Sequence, residues 1–160
     1  MNIYLVYKLL HITAVIIFLG NIFTGLFWMK QANRTNNLSI ISFAIRSLII
    51  SDKWFTIPGV IVITAGGISG AIQGGIPLLK TGWIFWSIVL FTLSGIVFSA
   101  KLIPLQKKIY KVTLVAEADF NRELYHTCLK QWEAWGFIAL LTPVLAMVMM
   151  ILKLPLKSIF

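Results

Sequence analysis

Apolar residues fill four long blocks of this chain, and three polar interruptions of unequal character separate them. The first block, YLVYKLLHITAVIIFLGNIFTGLFWMK (Tyr4 to Lys30), is long enough for a bilayer-crossing helix. About 20 apolar residues at 1.5 Å rise cover a hydrocarbon core of about 30 Å. The polar connector QANRTNN follows, and then Leu38 to Ile50 places Ser39, Ser42 and Arg46 at i, i+3 and i+7. One polar stripe on an apolar helix predicts a segment lying in the interface or leading obliquely into the next span. The second span is expected from about Trp54 to Gly74, with Thr56 as N-cap, Pro58 in the first turn and GGIP as its breaker. The third runs from Trp83 to about Ile103, where Pro104 is expected to stop the helix. Thr113 to Gln131 is polar, yet Leu114, Ala118, Tyr125, Cys128 and Trp132 keep a helical repeat. That predicts a helix outside the membrane feeding the fourth span, Trp132 to about Leu152, with a kink at Pro143. The expected fold is one all-α membrane domain over residues 1–160, a four-transmembrane-helix bundle.

Composition supports the bilayer. The chain is 59% hydrophobic and 12% charged, against roughly a quarter charged in soluble domains. A net charge of +9 in a soluble protein would suggest nucleic acid. Here the bases flank apolar spans, so no nucleic acid is expected as partner. Ten of the 14 Lys and Arg residues fall in the first–second and third–fourth connections, and only Lys8, Lys80, Lys153 and Lys157 lie on the other side. The positive-inside rule then puts both long connections in the cytoplasm and both termini outside. Trp28, Trp54, Trp132 and Trp135 are expected at one interface, and Trp83 and Trp86 at the other. A lone cysteine, Cys128, excludes an intramolecular disulfide.

Candidate chemistry is sparse. Lys8 and His11 stand one helical turn apart in the first span, and His11 is the one histidine in an apolar block. Ionisable groups within a span tend to face a bundle interior, a partner or a cofactor. A neutral imidazole there would ligate a metal or haem iron, while Lys8 would snorkel to headgroups or hold a propionate. The plainer reading has His11 hydrogen-bonded across the bundle. On the second span Gly59, Gly66, Gly70 and Gly74 share one face, which favours close helix packing, or alternatively room for a flat macrocycle. Met147 and Met150 extend the Gly136, Ala139, Pro143, Ala146 face of the fourth span to the predicted depth of His11. They are core filler, copper(I) ligands with His11, or one axial haem ligand. His126 reads as a solvated histidine on the opposite side, and the five carboxylates all fall on the cytoplasmic side. With no charge expected in the middle of the later spans, an ion-coupled transporter is disfavoured. No catalytic motif emerges, so the residues leave enzymatic activity open.

The segments YKLLHITAVIIFLGN, SDKWFTIPGVIVITAGG and LIPLQKKI resemble the bacterial integral membrane proteins grouped as DUF2269, over nearly the whole chain. That resemblance implies the cytoplasmic (inner) membrane of a bacterium. More distantly, the KxLHI opening is similar to small helical membrane proteins of the CopD copper-resistance type and the HemJ type of protoporphyrinogen oxidase. The second resemblance implies haem b at His11 with Lys8 beside it. The run IIFLGN departs from the Trp-Phe-x-Gly stretch of the HemJ type, so the oxidase reaction itself is not carried over. The leading expectation is a haem-binding membrane protein with a redox or porphyrin-related role. The alternatives are a cofactor-free subunit packing through its glycine face in a homo-oligomer or larger complex, and copper handling at the outer side.

Overall fold

The computed structural model describes Asn2 to Ile159. Its helices are α1 (Ile3–Arg34), α2 (Leu38–Ser51), α3 (Ile57–Gln73), α4 (Gly82–Val97), α5 (Ile103–Thr113) and α6 (Arg122–Leu152). Two π-turns, Asp52–Thr56 and Phe98–Leu102, join α2 to α3 and α4 to α5 without a break. The described residues therefore form four rods long and apolar enough to cross a membrane: Ile3–Arg34, Leu38–Gln73, Gly82–Thr113 and Arg122–Leu152. This is an all-α four-helix membrane protein.

Asparagine starts three of the rods. The Asn2 side chain accepts from the Tyr4 backbone N–H, Asn37 from Ser39 and Ile40, and Asn121 from Leu124. Each satisfies donors that the first helical turn leaves open. The prolines act differently from the sequence expectation. Pro104 does not stop the third rod, which runs on to Thr113, and Thr56 is no N-cap but a helical residue with φ −69° and ψ −51°. Pro58 and Pro104 each stand two residues beyond a π-turn, where Ile57 N–H reaches the Asp52 carbonyl and Ile103 N–H the Phe98 carbonyl. The wider π-turn gives the proline ring room against the preceding turn and keeps the chain hydrogen-bonded. Pro143 is also carried inside a continuous helix. It cannot bond the Ala139 carbonyl, and the Ser94 hydroxyl of α4 donates to that oxygen instead, at 2.8 Å.

α1 packs along α3, and α4 along α6. α2 and α5 close the bundle at the basic end, the end holding ten of the 14 Lys and Arg residues. The segment Leu38–Ile50 leads straight into the next span, the second of the two arrangements expected for it, as part of the rod Leu38–Gln73. Its Ile41, Ile45 and Leu48 are buried in the main core with Met29, Ile109 and Leu129, while Ser39 and Arg46 face outward. The helix expected from Thr113 begins at Arg122, after a connection holding a short 3₁₀ turn at Glu117–Asp119. Trp132, expected in an aromatic belt, is 3% exposed and belongs to the core. Trp28 and Trp54 are outward-facing, and Trp135 sits under Lys101 Nζ at 5.5 Å.

Candidate functional site: a buried carboxylate at an interhelical cavity

Asp52 opens the first π-turn and is buried, 8% exposed. Asn21 Nδ2 donates to its Oδ1 at 3.1 Å and Thr56 Oγ1 to the same atom at 2.7 Å. Gln106 Nε2 donates to Oδ2 at 2.8 Å. Asn21 Nδ2 also donates to Thr56 Oγ1 at 2.9 Å, and Ser51 Oγ donates to Asn21 Oδ1 at 2.8 Å. Three rods thus converge on one carboxylate. The spacing explains how: Asp52 and Thr56 are four apart and share a face, while α1 and the turn of chain beyond Pro104 supply the other donors. Among the described residues Asp52 makes no ion pair, and its hydrogen-bond partners Asn21, Thr56 and Gln106 are all neutral.

The network borders a cavity of about 360 Å³. Asp52, Asn21, Thr56 and Gln106 form its polar wall, and Phe18, Phe91, Phe98, Ile22, Leu48 and Val60 supply much of the apolar remainder. Phe18 and Phe91 meet across it at 5.6 Å between ring centroids, joining α1 to α4. Trp132 and Gly136 line its α6 side, and the buried indole N–H of Trp132 has no hydrogen-bond partner among the described residues. The lining residues that reach the surface are Thr64 on α3 and Thr92, Gly95, Ile96 and Ser99 on α4. The mouth therefore opens sideways between α3 and α4, within apolar spans, towards the space lipid chains would fill.

His11 lies elsewhere, in the contact of α1 with α3. Its Nδ1 donates to the Ile63 carbonyl at 2.8 Å. A carbonyl only accepts, so Nδ1 carries a proton, and this bond leaves Nε2 unengaged. Lys8 is exposed. The glycine row lies against α1: a Cβ on Gly66 would stand 3.4 Å from His11 Cβ and backbone nitrogen, and one on Gly59 3.5 Å from Phe18 Cβ. Gly70 faces Tyr7 and Gly74 faces Tyr4. That face is occupied within the chain. Met147 and Met150 ride on α6, the partner of α4, so they and His11 belong to different helix pairs. His126 is half-buried rather than fully solvated. Its ring stacks edgewise on Tyr125 at 5.3 Å and lines a polar recess of about 120 Å³ with Asn33 and Arg122.

The sequence pointed to His11 and passed over Asp52. The signal for Asp52 was present in the i, i+4 pair Asp52 and Thr56 and in Asn21, an amide deep inside an apolar block. Lys53 next door made Asp52 look like a boundary residue.

A family model described as predicted integral membrane protein (DUF2269) matches residues 5–154. No curated protein and no solved structure matches the chain.

Proposed function

Because the chain belongs to the DUF2269 family of integral membrane proteins, we propose that it is an intramembrane binding protein that takes a small amphiphile from the bilayer into the cavity between its helices. One observation carries this reading: a buried carboxylate with three hydrogen-bond donors stands in the wall of a mostly apolar cavity that opens towards lipid. Ionisable groups inside spans are costly to keep, and those that persist usually face a cavity or pathway with a task. An apolar chamber with a few convergent polar groups is the ordinary form of a small-molecule site, and 360 Å³ lies within the usual range of roughly 300–1,000 Å³.

Photolabelling tests it. A neutral diazirine-bearing alkanol added to the protein in lipid nanodiscs should label the inner faces of α1 and α4 around Phe18 and Phe91. A Cβ at Gly95, one of the residues at the mouth, meets nothing within 4 Å, so Gly95→Trp adds bulk there and should cut that labelling. Wild-type labelling confined to outward-facing side chains overturns the reading.

A second reading, haem b at His11, is favoured by the Nδ1 bond to Ile63, which leaves Nε2 as the atom free to ligate. Haem would bring iron redox chemistry. His11 would hold it from the α1–α3 pair, and Lys8 would serve a propionate. Protein purified from haem-replete cells should then show a Soret band that His11→Ala abolishes, and colourless wild-type protein sinks this second reading.

A further inference from the structure

We propose that the guest of this cavity is cationic: an amphiphile with a protonated amine, its ammonium on Asp52 and its apolar body against the contacting rings of Phe18 and Phe91. The inference rests on the cavity being a ligand site and names the class of ligand. Four observations carry it.

The first is the charge balance. Asp52 is buried, and among the described residues no lysine, arginine or histidine pairs with it. Isolating an ionised carboxylate from water is expensive, and neutral donors offset only part of that cost. An ammonium formed beside it offsets much more.

The second is acceptor capacity. A carboxylate offers about four lone-pair places. Oδ1 takes two donors and Oδ2 takes one, so a place remains on Oδ2. Gln106 spends its Nε2 on Asp52, and its Oε1 accepts no hydrogen bond among the described residues. Asp52 Oδ2 and Gln106 Oε1 are therefore neighbouring acceptors, the complement of an ammonium with several N–H groups to place. A carboxylate or phosphate guest would meet like charge.

The third is the body of the chamber. Beyond the polar wall the lining is mostly aliphatic and aromatic, with the hydroxyls of Thr64, Thr92, Ser94 and Ser99 among it and Phe18 and Phe91 in ring contact at 5.6 Å. Aromatic faces suit both a hydrocarbon body and a nearby positive charge. A bare metal ion would leave this part of the chamber unused.

The fourth is the route. The surface-reaching lining residues lie between α3 and α4, inside apolar spans. A guest that enters there must partition into lipid first, which an alkylamine does in its neutral form; beside Asp52, which holds a proton while the chamber is empty, the amine nitrogen takes the carboxyl proton, and acid and amine become carboxylate and ammonium.

Competition against the alkanol photolabel decides the matter. 2-Phenylethylamine, protonated at neutral pH, and its neutral isostere 2-phenylethanol are compared on wild-type protein in nanodiscs. The amine should compete at a concentration about 10-fold lower or better, the scale of one charge-assisted hydrogen bond over a neutral one. Asp52→Asn should bring the two competitors to equal potency, since Gln106 can turn its amide to match the new side chain while the charge is gone. Equal potency on wild type overturns the cationic guest, whether or not Asp52→Asn folds. So does an Asp52→Asn protein that labels normally and still prefers the amine. If the alkanol labels the chamber but the amine gains nothing, the ligand site stands and only its class falls. If the alkanol never labels the inner faces, both fall together.

Discussion

At the scale of single residues, the structure shows hydroxyls and amides holding together what an all-apolar core cannot specify. Within lipid, hydrocarbon surrounds the bundle as well as filling it, so packing and hydrogen bonds decide which helices meet. Ser94 and Ser87 illustrate the difference between a needed bond and an added one. Ser94 donates to the Ala139 carbonyl, which Pro143 has deprived of its helical partner. Ser87 donates to the Ala146 carbonyl at 3.1 Å, a group inside the unbroken last turns of α6. Ser94→Ala should lower unfolding stability in detergent by about 1 kcal/mol or more, because it leaves a buried acceptor unmatched. Ser87→Ala should cost clearly less, about 0.5 kcal/mol, the usual worth of an interhelical bond whose partners have alternatives. Equal losses in paired denaturation curves would show that Pro143 leaves no unmet acceptor. The proline was legible in the sequence; that a serine on another rod answers it was not, since nothing in local spacing links residues 94 and 139.

At the scale of elements, the blocks of apolar residues gave the spans their number and rough positions, while their ends were misjudged for one physical reason. Pro104 reads as a stop and Pro58 as the first turn of a new helix, and both readings hold where a freed carbonyl can turn to water. In a span the chain must stay hydrogen-bonded, and a π-turn ahead of Pro58 and of Pro104 achieves this. The same two π-turns bring Asp52 and the Phe98–Gln106 stretch to the cavity wall, so the misjudged ends and the overlooked site share one cause. The glycine row was legible as a small-residue face, but its partner was not, because any helix could have filled it. With α1 in place the glycines become unequal. A Cβ on Gly66 meets the backbone of α1 at 3.4 Å, whereas on Gly70 the nearest atom is Tyr7 Cβ at 3.8 Å. Gly70→Ala should be tolerated. Gly66→Leu should destabilise by about 1–3 kcal/mol, the range for overpacking, since backbone cannot rotate away as a side chain can. A detergent melting temperature unchanged by Gly66→Leu would mean that α1 and α3 separate more easily than their contact implies.

At the scale of the whole molecule, the rods form two pairs, α1 with α3 and α4 with α6, tied together mainly at the basic end. Sequence could not foretell that pairing, because spans that are apolar all round show no preferred inner face. Sidedness is a separate matter, and here the sequence speaks more clearly than the coordinates. The chain start, the 74–81 connection and the chain end share one face of the bundle: Tyr4 lies on Gly74, and Trp86 Nε1 donates to the Lys157 carbonyl at 3.2 Å. Gly82 lets the returning tail pass, since a Cβ there would run into the Leu156 carbonyl. The 35–37 and 114–121 connections lie on the opposite face with ten of the 14 Lys and Arg residues. Geometry fixes which segments travel together, and for the set as a whole the positive-inside rule predicts the basic face in the cytoplasm. Alkaline phosphatase fused after Phe160 should therefore be active in a bacterial host, and a fluorescent protein inserted between Leu114 and Asn121 should glow. Inactive phosphatase with a fluorescent C-terminal fusion would reverse the orientation and leave the bundle as it is. In either case the cavity mouth remains within the membrane, because it opens sideways between α3 and α4 rather than through either face.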